Sequence, residues 1–255
     1  MIHPTAIIDK NAEIAPDAEI GPYSVVEAGA RIGKGCRIGS HVVVQGKTTV
    51  GDNCTISPFA SIGGPPQDIG YKFEPTEVII GDNNTIKEYV TINRGTTKGG
   101  GVTRIGDNNF IMAYAHIAHD CMVGSSIIMA NGATLAGHVE VADFVIFSGL
   151  CAVHQFCRVG KYAFISGLTG IPKDVPPFVI AAGDRAKLYG LNLVGLERRN
   201  FSKEEITKLK RAYRILFRSA LPLKTSLKII RNELDGDNIA YLIDFIETST
   251  RGICR

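Results

Sequence analysis

An aliphatic side chain recurs at every sixth position along most of this chain, and this period limits the fold more than any other feature. Eleven consecutive positions carry it: Ile2, Ile8, Ile14, Ile20, Val26, Ile32, Ile38, Val44, Val50, Ile56 and Ile62. The same spacing resumes at Ile80 and, after an interruption, runs from Ile105 to Ile171. A period of six matches neither the helical repeat of about 3.6 residues nor strand alternation. Three hexads build one triangular coil of a parallel β-helix, so the sequence predicts a mainly β solenoid.

The remaining hexad positions fit the same fold. Gly is frequent at the second position and polar turn formers follow it, as tight corners require. The fifth position is small or β-branched, and five of the six cysteines occupy it: Cys36, Cys54, Cys121, Cys151 and Cys157. No C-x-x-C pair is present, which argues against a zinc ribbon or a thioredoxin-type redox site. We expect buried, reduced thiols inside a narrow prism.

Two segments break the repeat, near residues 63–79 and 93–104. The second contains the glycine-rich string Arg94-Gly95-Thr96-Thr97-Lys98-Gly99-Gly100-Gly101, which lacks the Lys-Ser/Thr ending of a phosphate loop. Loops that leave a rigid scaffold often carry function.

The repeat predicts a β-helix over residues 1–185. A small α-helical domain is expected over 186–255, with its first helix, about 203–219, opening at the capping box Ser202-x-x-Glu205. Shorter helices are expected near 224–234 and 238–249.

Charge is spread unevenly along the chain. Residues 1–185 hold 14 Lys/Arg and 17 Asp/Glu, whereas residues 186–255 hold 14 and 8, which gives the net +3 of the whole sequence. The basic end favours an acidic partner, but no nucleic-acid motif accompanies it, which argues against nucleic acid as the partner. There is no apolar run of membrane-spanning length, and the residues after Met1 do not resemble a signal peptide. We expect a cytoplasmic protein without an integral membrane segment.

Four of the six histidines fall between residues 116 and 154. Ile117, Leu135 and Val153 are spaced by one 18-residue coil, so the histidines in their hexads, His119, His138 and His154, are expected to form a column near one corner. Three interpretations compete: hydrogen-bonded structural residues, a three-histidine zinc site as in solenoid carbonic anhydrases, or a general base that deprotonates a sugar hydroxyl. The G-x-S-x-G signature of serine hydrolases is absent.

Several longer strings are more specific than the hexads: Gln67-Asp68, Ile92-Asn93-Arg94-Gly95-Thr96, Ala115-His116-Ile117-Ala118-His119-Asp120-Cys121, Leu135-Ala136-Gly137-His138-Val139, Ala152-Val153-His154-Gln155-Phe156-Cys157, Asp174-Val175-Pro176-Pro177 and Ser249-Thr250-Arg251-Gly252. Across the whole chain they closely resemble the UDP-N-acetylglucosamine 3-O-acyltransferases of lipid A biosynthesis. The resemblance implies a homotrimer of left-handed parallel β-helices with active sites between subunits. It also implies transfer of an (R)-3-hydroxyacyl chain from acyl carrier protein to the sugar 3-position, the first step of lipid A biosynthesis, with no metal or cofactor.

The resemblance also implies roles for individual residues. His119 is expected to be the general base, Asp120 its orienting partner and the Gly137 N–H the oxyanion donor. Sequence neighbours on an extended segment point to opposite sides, so the pairing of His119 with Asp120 depends on the corner geometry. The residues expected to bind the UDP-sugar are Gln67, Asp68, His116, His138, Gln155, Asn192 and Arg198, with His154 supporting the site or the acyl pocket.

Two departures from the family pattern concern the sugar. Gly70 stands where many members have a basic residue, and Val194 where many have Glu, so a 3-amino acceptor is an alternative to the 3-hydroxyl. Gly167 and Arg185 are the expected gauges of acyl-chain length, with Gly167 leaving the groove open for a medium-to-long chain. Contact with the acidic carrier protein is expected at a basic helix surface: Lys203, Lys208, Lys210, Arg211, Arg214 and Arg218.

Three other functions compete with this one. The related N-acyltransferase of later lipid A assembly shares the solenoid but usually has an additional N-terminal domain, for which hexads beginning at Ile2 leave no room. A solenoid zinc hydratase is the second alternative, distinguished by metal analysis. A purely structural or ice-binding solenoid is the third, and the two polar interruptions argue against the flat repetitive face that such a surface needs.

Overall fold

The computed structural model describes residues 1–255, and short parallel strands dominate it as far as residue 191. Each coil of the chain contributes one strand to each of three sheets, which we call faces 1, 2 and 3. Strands one coil apart pair in parallel register, for example Ile62 with Ile92 and Ile92 with Ile117. Stacked coils with parallel pairing make the chain a parallel β-helix with a small C-terminal helical region. The predicted fold class, a left-handed β-helix followed by helices, is confirmed.

The strands are assigned to the three faces as follows. Face 1 contains β1 (Ile7–Ile8), β4 (Val25–Val26), β7 (Val43–Val44), β10 (Ser61–Gly64), β13 (Thr91–Asn93), β16 (His116–Ile117), β19 (Thr134–Leu135), β22 (Ala152–Val153) and β25 (Gly170–Ile171). Face 2 contains β2 (Glu13–Ile14), β5 (Arg31–Ile32), β8 (Lys47–Val50), β11 (Glu77–Ile80), β14 (Val102–Ile105), β17 (Met122–Val123), β20 (Glu140–Val141) and β23 (Arg158–Val159). Face 3 contains β3 (Glu19–Ile20), β6 (Arg37–Ile38), β9 (Thr55–Ile56), β12 (Thr85–Ile86), β15 (Phe110–Ile111), β18 (Ile128–Met129), β21 (Ile146–Phe147), β24 (Phe164–Ile165), β26 (Val179–Ala182) and β27 (Lys187–Leu191).

The hexad aliphatic residue is the last residue of nearly every two-residue strand, and its side chain fills the interior. Ile62, Ile92 and Ile117 are completely buried, whereas Ile8 and Ile14 in the first coil are only partly buried because no earlier coil covers them. The cysteines of the fifth position are buried free thiols. Burial raises the pKa of Cys157 to about 11, so this thiol stays protonated near neutral pH.

The faces meet at three corners, which we name by the faces they join: corner 1–2, corner 2–3 and corner 3–1. Most turns contain one residue with positive φ, and at corner 1–2 these include Asp120, His138 and Phe156, with φ of 60°, 61° and 64°. Both interruptions of the hexads leave the solenoid at corner 1–2. The first joins β10 to β11, and the second joins β13 to β14 through a short 3₁₀ helix, Thr97–Gly99. They occupy the two coils just before that of His119, so the topology brings both loops and the histidines to one corner.

The C-terminal part begins with a change of strand direction. Strand β26 extends face 3 by parallel pairing with β24, but β27 runs antiparallel to β26, which the hexad pattern does not predict. The expected division after residue 185 falls between these two strands. Four helices follow: α1 (Leu193–Arg198), α2 (Lys203–Phe217), α3 (Leu223–Glu233) and α4 (Asp237–Glu247).

Helix α2 begins at the predicted capping box. The Ser202 side chain accepts a hydrogen bond from the Glu205 N–H, and the Glu205 carboxylate accepts one from the Ser202 N–H. The helices enclose a second apolar cluster around the fully buried Phe178. The last residues return to the solenoid, where the Cys254 N–H donates to the Asp174 carbonyl. None of the helices combines the length and apolar character needed to cross a bilayer.

Candidate active site

The turn between β16 and β17 brings together two adjacent side chains that an extended strand would separate. Asp120 adopts φ +60° at this corner, and its carboxylate folds back so that Oδ2 lies 2.8 Å from His119 Nδ1. The Asp120 side chain is completely buried, while 14% of the His119 side chain is exposed. The pairing expected from the family resemblance therefore exists, and the positive φ is what makes it possible.

Three donors fix the Asp120 carboxylate. The Thr96 N–H donates to Oδ1 at 2.8 Å, and the Thr96 hydroxyl donates to Oδ2 at 2.7 Å. His119 Nδ1 is the third partner. Because both oxygens already accept these bonds as an ionised carboxylate would, the proton of a neutral His119 is placed on Nδ1. The other ring nitrogen, Nε2, then carries a lone pair at the exposed edge of the ring and is free to accept a proton.

Gly137 lies directly against this imidazole. A Cβ placed on Gly137 would lie 2.5 Å from His119 Cε1 and 2.7 Å from Nε2, so no larger residue fits without displacing the ring. The Gly137 N–H makes no hydrogen bond within the chain. A free backbone donor beside a free imidazole nitrogen is the arrangement that acyl transfer requires, with one group for the proton and one for the developing oxyanion.

His138 forms the adjacent wall of the corner. Its ring meets that of His119 edge-on with centroids 5.1 Å apart, and stacks on Phe156 at 4.5 Å. His138 Nε2 lies 3.6 Å from Asp120 Oδ2, beyond hydrogen-bonding distance. Burial lowers the pKa of His138, although the charge of Asp120 opposes this shift, so the ring is neutral near physiological pH.

Other residues expected at the site lie close to this corner. His116 sits on face 1, where Nδ1 lies 2.7 Å from Thr91 Oγ1. Burial lowers the pKa of His116, and the charge of His119 lowers it further. In the first loop Gln67 is exposed, and Asp68 Oδ1 accepts a hydrogen bond from the Gly70 N–H. The charge of Asp68 acts to raise the pKa of His138, against the larger effect of burial, so Asp68 lies near this histidine.

His154 does not complete a three-histidine cluster. Its Nδ1 lies 3.2 Å from the Gln155 carbonyl oxygen and 3.3 Å from Arg251 Nη2, in the returning C-terminal segment. The metal-ligand types that do converge are His119, Asp120 and His138, whose donor atoms lie within 4.8 Å of one another. Two of these atoms, His119 Nδ1 and Asp120 Oδ2, are hydrogen-bonded to each other. The cluster is therefore arranged as a hydrogen-bond network rather than as a set of unpaired metal ligands.

Comparisons with known proteins identify relatives that match this chain over its full length. A protein of Thermodesulfovibrio yellowstonii named acyl-[acyl-carrier-protein]--UDP-N-acetylglucosamine O-acyltransferase is 58% identical over 100% of this chain and 99% of its own. A protein of the same name from a Janthinobacterium species is 53% identical, again over 100% of this chain and 99% of its own. The chain belongs to the UDP-N-acetylglucosamine acyltransferase family.

Solved structures and family profiles agree with this assignment. The UDP-N-acetylglucosamine acyltransferase of Francisella novicida superposes with a TM-score of 0.97 at 43% identity, covering 100% of this chain and 94% of that one. The Arabidopsis enzyme superposes with a TM-score of 0.87 at 35% identity over 100% of both chains. The profile described as Udp N-acetylglucosamine O-acyltransferase, Domain 2, matches residues 174–254. Hexapeptide transferase repeats match 103–137, and the GMPPB C-terminal domain profile matches 2–98.

The remaining residues expected from the family resemblance lie away from corner 1–2 of the same chain. Asn192 caps α1, with Oδ1 accepting from the Gly195 N–H and Nδ2 donating to the Tyr162 carbonyl. Arg198 is exposed at the end of that helix. Gly167 lies in the exposed turn of corner 3–1 between β24 and β25, and Arg185 is exposed between β26 and β27. One chain therefore does not gather all the expected substrate-binding residues.

The predicted basic surface of α2 is partly neutralised. Lys208 pairs with Asp235 and Glu204, and Arg211 pairs with Glu233. Arg218 donates to the carbonyl of Leu188. Apart from Arg218, the cations of this set without an ion pair are Lys203, Lys210 and Arg214, which are exposed on one side of α2.

Three further residues support the site, although the sequence predictions assign no role to them: Thr96, Thr91 and Phe156. Thr91 is paired with His116, and Phe156 stacks on His138. The repeat did carry a signal for Thr91, because strand pairing places it beside His116 one coil later. Thr96 lay inside a glycine-rich segment whose conformation the hexads do not specify.

Proposed function

We propose that this protein transfers an (R)-3-hydroxyacyl chain from acyl carrier protein to the 3-position of UDP-N-acetylglucosamine, the first step of lipid A biosynthesis. The observation that carries the proposal is the His119–Asp120 pair, whose ring packs against Gly137, a residue with an N–H that makes no hydrogen bond within the chain. The names and the full-length identity of the relatives supply the substrate classes. The same geometry accepts a proton equally from a 3-hydroxyl and from a 3-amino group, and Gly70 and Val194 keep the 3-amino sugar as an acceptor to be tested.

The proposed reaction needs no covalent enzyme intermediate. His119 Nε2 takes the proton of the acceptor group as that group attacks the thioester carbonyl carbon. The carbonyl oxygen becomes an oxyanion and accepts a hydrogen bond from the Gly137 N–H. Collapse of the tetrahedral intermediate breaks the carbon–sulfur bond, and the His119 imidazolium returns its proton to the leaving thiolate. Asp120 remains ionised throughout and stabilises the imidazolium through Nδ1–H.

The distribution of residues supports a homotrimer. Gln67, Asp68, His116, His138, His154 and Gln155 surround corner 1–2 and are proposed to bind the sugar nucleotide or support the pocket. Asn192 and Arg198 lie at helix α1, whereas Gly167 and Arg185 lie in turns near the end of the solenoid. We assign all four to the neighbouring subunit's share of the site. Gly167 and Arg185 would then end the acyl groove. Sedimentation should give a particle of three times the 27.5 kDa chain mass, and a monomer that is active would contradict this arrangement.

The deciding experiment is incubation of the purified protein with UDP-N-acetylglucosamine or its 3-amino analogue and a panel of hydroxyacyl carrier proteins of different chain lengths. Mass spectrometry of the products should show one added hydroxyacyl group on the sugar nucleotide. The better acceptor identifies the 3-substituent, and the best donor gives the length of the groove. Absence of product with every pair would refute the acyltransferase assignment.

A further inference from the structure

The glycine-rich loop, residues 94–101, contacts the Asp120 carboxylate, which orients the proposed base His119. Thr96 supplies two of the three donors to Asp120, one from its backbone and one from its hydroxyl. Thr96 is itself buried, with only 4% of its surface exposed. Its hydroxyl also accepts a hydrogen bond from the Gly99 N–H at 3.1 Å, which leaves the hydroxyl proton for Asp120.

The glycines of this loop allow that contact. A Cβ on Gly99 would lie 2.0 Å from Asp120 Cγ, so a side chain there would displace the carboxylate. Gly100 and Gly101 adopt φ of 95° and 83°, which returns the chain to β14 immediately after the short 3₁₀ helix. The close approach of backbone to a carboxylate therefore explains Gly99, and the positive φ of the return to β14 explains Gly100 and Gly101.

The loop is held at its other end by Arg94. Its Nε donates to the Tyr71 hydroxyl at 2.9 Å, and Nη1 donates to the Gly63 carbonyl at 3.0 Å. Both partners belong to the first excursion, which also carries Gln67 and Asp68. Thr96 is thus presented by a braced segment, as a residue that sets the geometry of another side chain must be.

The Thr96 hydroxyl is important because His138 competes with His119 for the Asp120 carboxylate. His138 Nε2 is 3.6 Å from the same Oδ2 that His119 Nδ1 contacts at 2.8 Å. Without the hydroxyl, the carboxylate retains one Thr96 bond, at Oδ1, and becomes free to turn Oδ2 toward His138. His119 then loses the acceptor that keeps its proton on Nδ1, and a proton on Nε2 disables the base.

We infer that Thr96 is a positioning residue that holds Asp120 on His119 and thereby keeps His119 Nε2 unprotonated and aimed at the acceptor. This inference rests on the proposed function of His119 as the base. Its effect belongs to the chemical step, because Thr96 is buried beneath Asp120 rather than facing the sugar nucleotide.

The test uses Thr96→Val, which keeps the size and the backbone N–H but removes the hydroxyl. The kcat should fall about tenfold to a hundredfold, as expected for loss of a hydrogen bond to a charged group, while KM for the UDP-sugar changes less than about twofold. Thr96→Ser restores the hydroxyl and should recover most of kcat. Thr97→Val is the matched control, since Thr97 is adjacent and exposed, and it should match the wild type. Equal kcat in Thr96→Val and the wild type would overturn the inference.

A measurement without substrate separates this inference from the proposed function. In protein with ¹⁵N-labelled histidine, at a pH where the ring is neutral, the His119 shifts should show the Nδ1–H tautomer in the wild type and a mixture in Thr96→Val. An unchanged tautomer in Thr96→Val would also overturn the inference. A wild type that shows the Nδ1–H tautomer but no turnover would instead refute the proposed function. If Thr96→Val does not fold, Thr96→Ala removes the same hydroxyl without adding a methyl group in its place and should lower kcat with an unchanged KM.

Discussion

Corners 1–2 and 2–3 are made by the same hexad turn, yet they use their polar side chains in opposite ways. At corner 2–3 the side chains of five successive turns each accept a hydrogen bond from a backbone N–H of the preceding coil: Asp52 from Lys34, Asp82 from Asp52, Asp107 from Asp82, Ser125 from Asp107 and Asp143 from Ser125. Just inside, Asn109 donates to the carbonyls of Gly106 and Gly124 and accepts from the Ile127 N–H. These side chains bond one coil to the next.

Corner 1–2 leaves selected groups without such partners. Thr96 and His119 saturate the Asp120 carboxylate, but neither His119 Nε2 nor the N–H of Gly137, which packs against the His119 ring, makes a hydrogen bond within the chain. A fully satisfied corner adds rigidity, whereas a corner with a free base and a free donor is able to act on a ligand. Reactivity in this solenoid therefore depends on which hydrogen-bonding groups a corner leaves without partners, because the polar residue types at the two corners overlap.

The largest effect should follow removal of the base at corner 1–2. His119→Ala is expected to lower kcat by at least about 10²-fold while the protein stays folded, since the ring is at the surface of the solenoid and general-base catalysis contributes on this scale. Steady-state kinetics with circular dichroism measure both effects. His41→Ala is the matched control, because His41 is an exposed corner histidine that stacks between Tyr23 and Phe59 at corner 3–1. An equal loss of kcat in His119→Ala and His41→Ala would contradict a specific catalytic role for the histidine of corner 1–2.

A methyl group beside the base should have the next largest effect. Gly137→Ala places a Cβ 2.5 Å from His119 Cε1, so the imidazole must move, and a displacement of about 1 Å can cost about 10²-fold in rate. The comparison variant is Gly149→Ala, at the corresponding position of corner 3–1, where the new Cβ meets only Asn131 O at 3.4 Å. Its kcat should remain close to that of the wild type. A Gly137→Ala enzyme with normal kcat would show that the close packing of ring and backbone is not required.

The solenoid could be predicted from the sequence because its determinants are local and repeated. Every hexad aliphatic residue carries the same information, so Ile117, Leu135 and Val153 could be placed on one face from their 18-residue spacing alone. The pairing of His119 with Asp120 could not be predicted in this way, because it depends on a positive φ at a non-glycine residue. Thr96 was also beyond prediction, since the loop that carries it is shaped by contacts with Tyr71 and Asp120 rather than by its own periodicity.

Corner 2–3 should respond to mutation through stability rather than rate. Asn109→Ala leaves the Ile127 N–H and the Gly124 carbonyl without their side-chain partner, whereas the Gly106 carbonyl keeps Asn84 Nδ2 as a donor. Each buried unsatisfied group costs about 1–3 kcal/mol. The denaturant midpoint should fall, while kcat of the folded fraction stays near that of the wild type. Asn11→Ala, at an exposed turn of the first coil, should leave the midpoint unchanged. A loss of kcat without a loss of stability in Asn109→Ala would contradict a purely structural role for this corner.

The smallest expected effect is on the KM for acyl carrier protein and concerns helix α2, which lies outside both corners and acts through long-range electrostatic attraction. Lys210 and Arg214 are exposed on α2 without ion pairs, whereas Lys208 and Arg211 are already paired with acidic side chains. The double variant Lys210→Glu/Arg214→Glu should therefore raise KM for the acidic acyl carrier protein by up to about tenfold at low salt, the lower range of electrostatic steering. Added salt should shrink the difference, because screening acts within about 10 Å at 0.1 M ionic strength. The KM for the UDP-sugar should not change, and the same charge reversal on α3, Lys224→Glu/Lys228→Glu, is the control. If both double variants raise KM equally, the carrier protein responds to the total charge of the helical region rather than to this side of α2.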